Sequence, residues 1–233
     1  AFDNTVGCVG IVPHVSSVGV VSYYGSTRVK AIEAAIAKLH YGDVLLLEAQ
    51  RVAWGASGRN AGHVLPLLRD LKLFERFPDG GKRFLELFRQ HLTIPFDLSV
   101  KHGIDSDAVR SGYINGMKTR KAQDAFLRQH AYLEQAGIQR SIALDAAQMK
   151  ERLGTTAYPF GVLFEDGGRV NPYLLTNGMI ETAARLGAKI HGNSEAISLE
   201  RVGTQWRVRT AQGSVLANRV VFCTAAYPTD IEP

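Results

Sequence analysis

Glu48 closes the apolar run DVLLLEA (residues 43–49) and stands 23 positions after Gly25, which opens the turn-forming string GSTRVK (residues 25–30). An acid at the tip of a second strand, about twenty residues beyond a glycine turn, is the arrangement that accepts ribose hydroxyls in a dinucleotide site. In such a site the turn lets a pyrophosphate approach bare backbone, and the next helix offers free N–H groups and its positive end. The turn meets this only in part. Aligned back from Glu48, the G-x-G-x-x-G positions fall on Gly25-Ser26-Thr27-Arg28-Val29-Lys30, and only the first is glycine. Thr27 puts a Cβ where phosphate wants backbone, and Lys30 puts a long chain where helix and strand should touch. By itself this loop reads as an ordinary turn between strand and helix.

The segment after Glu48 weighs the other way. Residues 51–66, RVAWGASGRNAGHVLP, crowd small residues and short polar side chains directly behind the acid. Other chemistries find little. Seven histidines and two cysteines show no metal-ligand spacing, and Ser57 lacks the G-x-S-x-G setting of a nucleophile elbow.

The elements that must position these residues follow from periodicity. Residues 18–21 are mostly β-branched and predict a buried strand leading into the Gly25 turn. Val29, Ile32, Ile36 and Leu39 keep helical spacing, and Gly42 ends that helix. DVLLLEA then predicts a parallel strand buried on both faces. Together these form a βαβ unit. Residues 71–91 and 118–136 carry helical spacing, with a loop and short strand in HGIDSDAVRSGYING (residues 102–116) between them. Asp145 and Gln148 predict a capping box on a short helix ending at Gly154. GVLFEDGGRVNP (residues 161–172) supplies a strand and a turn. Asn171 caps a helix with Pro172 at its first position and Gly187 after its last turn, with Leu175, Met179, Ala183 and Leu186 as its buried stripe. AKIHG (residues 188–192) reads as a strand. ISLERV, QWRVRT and VLANRVVFCT read as a meander feeding a final buried strand.

The string GASGRNAG behind the acid resembles the glycine/D-amino acid oxidase (DAO) family of flavoproteins, and is the most specific signal in the chain. GIDSDAVRSGYI (residues 103–114) is similar to that family's entry into its substrate domain. GGRVNPYLLTNGMIETAARLGAKIH (residues 167–191) resembles its strand-to-helix return, and VVFCTAAYPTD (residues 220–230) resembles its last strand beside the cofactor, with Cys223 in an alanine place. Within the family the bacterial amine-oxidising branch is the nearest match. The resemblance implies an α/β fold: an FAD-binding Rossmann-like βαβ domain with a β-meander, plus an α+β substrate-domain portion. It places the first part of the FAD domain in residues 1–70, the helical and substrate portion in 71–165, and the second FAD part in 166–233.

The same resemblance implies FAD as cofactor, with Gly25, Ser26, Thr27, Glu48, Ala56, Ser57, Gly58, Arg59, Asn60, Gly62, Ala196 and Thr224 as cofactor-binding positions and His63 as the catalytic candidate. Ala196 takes the place of a valine that touches adenine. The implied reaction is oxidation of the C–N bond of a small amine or amino acid, by hydride transfer to flavin N5 and hydrolysis of the imine. Tyr113 is a further candidate for the substrate pocket. Family members run longer, so a missing C-terminal segment or a partner chain is expected to complete the site. The alternative is a non-catalytic flavoprotein-like module or assembly subunit, which the poor GSTRVK loop favours. An NAD-dependent dehydrogenase shares the βαβ unit but leaves GASGRNAG unexplained.

The bulk composition bounds these readings. With 45% hydrophobic and 21% charged residues the 233-residue chain is ordinary globular material. Its formal charge of +5 is scattered, without runs of Lys or Arg, which argues against a nucleic-acid partner. The opening apolar stretch has no basic n-region and is broken by Pro13 and His14, so neither a signal peptide nor a transmembrane segment is expected. Two unpatterned cysteines fit a reducing compartment, and cytoplasmic localisation is the expectation.

Overall fold

A computed structural model describes residues 8–12, 44–65, 77–135, 137, 140–224 and 231. The expected strand at 18–21, the Gly25–Thr27 turn and the helix from Val29 lie outside the described residues.

The chain forms two compact units, each built from several stretches of sequence. The first comprises residues 1–61, 98–106 and 171–233. Its main sheet contains β1 (Cys8–Val12), β2 (Leu45–Glu48), β8 (Lys189–His191) and β12 (Arg219–Phe222), in the order β12-β1-β2-β8. β2 runs parallel to β8 but antiparallel to β1, and β1 is also antiparallel to β12. DVLLLEA therefore has a parallel neighbour on one side only. The other side is taken by Cys8–Val12, an apolar segment that was not expected to be an element.

Val9 is the register partner of both Leu47 and Phe222, and Leu47 is also paired with His191. The carboxyl ends of the three like-directed strands β2, β8 and β12 thus reach one edge of the sheet at the same level. Crevices at the carboxyl ends of such strands are where α/β sheets bind ligands.

The meander follows the sequence. β9 (Ser198–Val202), β10 (Gln205–Thr210) and β11 (Gly213–Ala217) form an antiparallel sheet whose hairpins turn at 203–204 and 211–212. Its inward residues Val208 and Ala217 are fully buried and join Leu47 in one core, with Ala196, Leu199, Val215 and Phe222 packed around them.

The return helix runs Pro172–Arg185. Asn171 Oδ1 accepts the N–H groups of Tyr173 and Leu174, and Gly187 follows with φ 100°. Of its expected stripe, Leu175, Met179 and Ala183 are half-buried and Leu186 departs. Leu186 is exposed at the helix end, whereas Thr182 is buried and Gly178 meets Ile104 so closely that a Cβ there would overlap the Ile104 side chain. A helix pressed against a β-branched residue packs through its smallest residues, not its largest.

The second unit comprises residues 62–97 and 107–170. β4 (Tyr113–Met117), β6 (Phe160–Phe164) and β5 (Ser141–Leu144) form an antiparallel sheet with β6 central. The long helix Arg120–Gln135 covers one face, where Met117, Val162 and Phe164 are buried against Phe126 and Leu127. Leu144, Leu163 and the fully buried Met149 of helix Ala146–Leu153 form a second cluster. That helix carries the expected capping box, with Asp145 and Gln148 bonded reciprocally at 2.9 Å, and ends at Gly154 with φ 68°.

Of the helix expected over 71–91, residues 71–76 lie outside the described residues; within 77–91 it runs Lys82–Gln90, since Gly80 and Gly81 hold φ 63° and 80° and Asp79 accepts the N–H groups of Gly81 and Arg83. A helix at Ile94–His102 was not expected, since its apolar residues follow no clear helical stripe and Pro95 sits in its first turn.

Candidate functional site

Glu48 is 2% exposed although it ends a strand. Its Oε1 accepts the N–H of Gln50 at 2.9 Å, and its backbone carbonyl accepts the N–H of Ser194 at 2.9 Å. Asn193 donates likewise to the Gln50 carbonyl at 2.8 Å. The link leaving β8 thus holds the tip of β2 in place, and Gly192 passes close to the Gln50 carbonyl. A carboxylate kept this far from bulk water is a strong acceptor for any hydroxyl that reaches it.

The small-residue string folds into a tight sequence of turns. Trp54 donates to the Arg51 carbonyl, and Ala53 takes φ 61°, unusual for a residue with a Cβ. Ala56–Gly58 then make one 3₁₀ turn, closed by Gly58 N–H to the Gly55 carbonyl at 3.1 Å and Arg59 N–H to the Ala56 carbonyl at 3.2 Å. Asn60 Nδ2 donates to the carbonyls of Ala56 and Ser57, both at 3.1 Å. Glycine is required at 58, because a Cβ there would overlap the Ala53 carbonyl oxygen and lie 3.0 Å from the Ala53 Cβ.

Glu48 and this turn line one cleft. It is lined by Leu46, Glu48, Val52, Ala53, Gly55 and Ser57 together with Thr176 and Ile180 of the return helix. Glu48 and Ser57 are the residues expected from sequence that share it. Ala56 and Gly58 flank Ser57 in the same turn. Arg59 is exposed and lays its guanidinium over the Trp54 ring, 4.3 Å from the centroid. Ala196 packs into the core beside Leu47, and Thr224 is buried just beyond β12, one residue past the level of Glu48. Gly25, Ser26 and Thr27 lie outside the described residues. Thr176 and Ile180 were missed in the sequence, where their helix offered only a core-packing pattern.

Gly62 and His63 belong to the second unit. Gly62 has φ 69° and its carbonyl accepts the Val170 N–H at 2.9 Å. His63 stands on β3 (His63–Val64), which pairs with β7 (Gly168–Arg169). Its exposed ring lies 6.4 Å from that of Tyr113, tilted by 46°, and Tyr113 in turn stacks on Phe164. Within that unit the two rings expected at the substrate side are therefore neighbours. Among the described residues no group of three or more His, Cys, Asp or Glu could hold a metal ion, and no helix is long and apolar enough to cross a membrane.

Residues 31–232 match the sequence profile of the family described as FAD dependent oxidoreductase, DAO. The chain belongs to the DAO family. Among DAO relatives, γ-glutamylputrescine oxidoreductase of Escherichia coli (strain K12) is 27% identical over 195 residues, covering 82% of this chain and 45% of that protein. The probable oxidoreductase OrdL of Rhizobium meliloti (strain 1021) is 25% identical over 205 residues, with the same shares covered. The fold is shared with L-amino acid deaminase from Proteus vulgaris (TM-score 0.64, 19% identity, 82% of this chain and 43% of that one). It is also shared with glycine oxidase from Geobacillus kaustophilus (TM-score 0.60, 20% identity, 75% and 46%). The chain spans less than half the length of the relatives it matches.

The site fits the cofactor of the DAO family in two respects. Buried Glu48 is among the residues that line the cleft, and the turn contributes Gly55 and Ser57 to the lining with little side-chain bulk.

Proposed function

We propose that this chain carries one side of an FAD site in an oxidoreductase acting on the C–N bond of a small amine or amino acid. The observation that carries the reading is the shared cleft: Glu48 and the Gly55–Ser57 turn lie on its walls, as sugar recognition and backbone approach require. In this reading Glu48 accepts the ribose hydroxyls. The turn at Ala56, Ser57 and Gly58 receives the chain joining the nucleotide to the flavin, with Arg59, Asn60 and Gly62 shaping the loop around it. Ala196 and Thr224 flank the same strand ends, and Gly25, Ser26 and Thr27 approach the pyrophosphate.

When bound, the flavin supplies the hydride acceptor for the carbon bearing the nitrogen, and the resulting imine is released to water. The protein binds, orients and excludes solvent. His63, beside Tyr113, steers a substrate amine that is already neutral, so no strong base is needed. The remaining substrate-facing groups come from a C-terminal segment or a partner chain. A reducing, cytoplasmic setting is part of this reading, on the strength of two unpatterned cysteines.

A second reading, a non-catalytic module, is favoured by one observation: the family match begins at residue 31, after the poor GSTRVK loop. FAD titration of the purified chain separates the two. Saturable binding with visible flavin absorption, bleached anaerobically by γ-glutamylputrescine or a simple amino acid, supports the oxidoreductase. Saturable binding without bleaching, when the C-terminal segment or partner chain is also supplied, supports the module, and absence of binding overturns the FAD site altogether.

A further inference from the structure

The carbonyl of Ser57 has two donors. Asn60 Nδ2 reaches it from within the loop at 3.1 Å, and Thr176 Oγ1 reaches it from the return helix at 3.2 Å, across 119 residues of sequence. The other end of the same peptide, the Gly58 N–H, is bonded to the Gly55 carbonyl at 3.1 Å. Because a peptide is planar, fixing its C=O and N–H together fixes its rotation. The Thr176 hydroxyl also lies 2.7 Å from the Pro172 carbonyl, one helical turn back. With a single proton it divides its donation between helix and loop, so it ties the position of the turn to that of the helix.

We infer that Thr176 is a positioning residue: its hydroxyl sets the orientation of the Ser57–Gly58 peptide and so the width of the cleft between that turn and Glu48. The inference rests on reading the cleft as the FAD site, but the contact that carries it exists without ligand. The same helix contains a matched control. Thr182 Oγ1 makes the same kind of bond to the Gly178 carbonyl, at 2.8 Å, and accepts from Arg185 Nη2 at 2.9 Å. A side chain that merely satisfies its own helix is thus represented beside one that also holds the loop.

The test measures the purified chain twice, by hydrogen exchange of the Gly58 and Arg59 amides without ligand and by FAD titration. Thr176→Val keeps the shape and removes the donor; it is expected to speed exchange at both amides and to weaken FAD about three- to tenfold, the loss of one ordinary hydrogen bond. Thr176→Ser is expected to restore both, and Thr182→Val to leave both unchanged. Should Thr176→Val not fold, Thr176→Ala against Thr176→Ser carries the same comparison. Native exchange rates in Thr176→Val (or in Thr176→Ala, should the valine variant not fold), or equal effects from Thr182→Val, overturn the positioning role. If the unaltered chain binds no FAD while exchange responds as expected, the FAD reading fails and the positioning role stands.

Discussion

Gly58→Ala tests the construction of the cleft most directly. The backbone at 58 is not in the left-handed region, so alanine meets no conformational penalty there; the obstacle is space alone. An added Cβ would overlap the Ala53 carbonyl oxygen, with the Ala53 Cβ at 3.0 Å and its carbonyl carbon at 3.1 Å. The obstructing atoms are backbone, in a residue already held at φ 61°, so no side-chain rotation clears them. The turn must move outward, straining the Gly58–Gly55 bond and the Ser57 bonds to Asn60 and Thr176. Overpacking of this kind costs about 1–3 kcal/mol. Urea unfolding of the ligand-free chain should show that loss as a lower midpoint with unchanged slope. FAD affinity should fall as the turn leaves the cleft wall. A Gly58→Ala chain as stable as the native one would refute the reasoning, because the turn would then have room that the geometry denies it.

Three further perturbations probe other parts of the construction. Glu48→Gln retains size and the capacity to accept from Gln50 but loses the charge; FAD titration should show roughly a 10- to 100-fold weaker Kd, from a charge-assisted hydrogen bond of about 1.5–3 kcal/mol, and an unchanged Kd would remove Glu48 from the sugar site. Gln123 is 2% exposed and donates from Nε2 to the carbonyls of Leu144 and Gly161 at 2.9 and 2.7 Å, so Gln123→Leu should lower unfolding stability by roughly 2–4 kcal/mol; calorimetry showing no change would contradict that. Hydrogen bonds from Arg89, then Gln90, hold the Glu86 carboxyl down to about 2, so its stabilising effect is complete above the ordinary carboxylate range and lost as pH falls toward 2. Carboxyl NMR titration should find that low midpoint and its return toward 4.5 in Arg89→Met, and an ordinary midpoint in the native chain would refute the pairing.

How much of this was legible in the sequence depended on the range of the interaction. The capping box at Asp145, the Asn171 cap, the meander hairpins and the strand ending in Glu48 all arise from neighbours within a few residues, and their residue types announce them. The antiparallel placement of Cys8–Val12 beside β2 and the Ile94–His102 helix were not legible. The first depends on which distant strand fills a sheet position, and the second lacks a clear apolar period. Within the site, periodicity suggested Leu175, Met179, Ala183 and Leu186 as the inward stripe of the return helix. Of these only Leu186 is exposed, but contact with Ile104 also brought in Gly178, and Thr176 and Ile180 came to line the cleft. No pattern within one helix encodes a surface it meets from elsewhere in the chain.

The glycine-rich string shows why such motifs need a structure behind them. Gly58 is demanded by the Ala53 carbonyl and would be demanded there with or without a nucleotide. Its presence is therefore evidence for the turn, and only through the turn for a ligand. Glu48 is different in kind. A carboxylate 2% exposed at a strand tip has a cost of desolvation that an apolar residue would avoid, offset in part by the Gln50 N–H that its Oε1 accepts. A polar group retained against its desolvation cost, facing a cleft walled by small residues, points to function more strongly than the glycines do. That ordering also bears on the GSTRVK loop. In the proposed reading a loop with one glycine of three impairs the approach of a pyrophosphate, but it removes neither Glu48 nor the Gly55–Ser57 turn from the cleft.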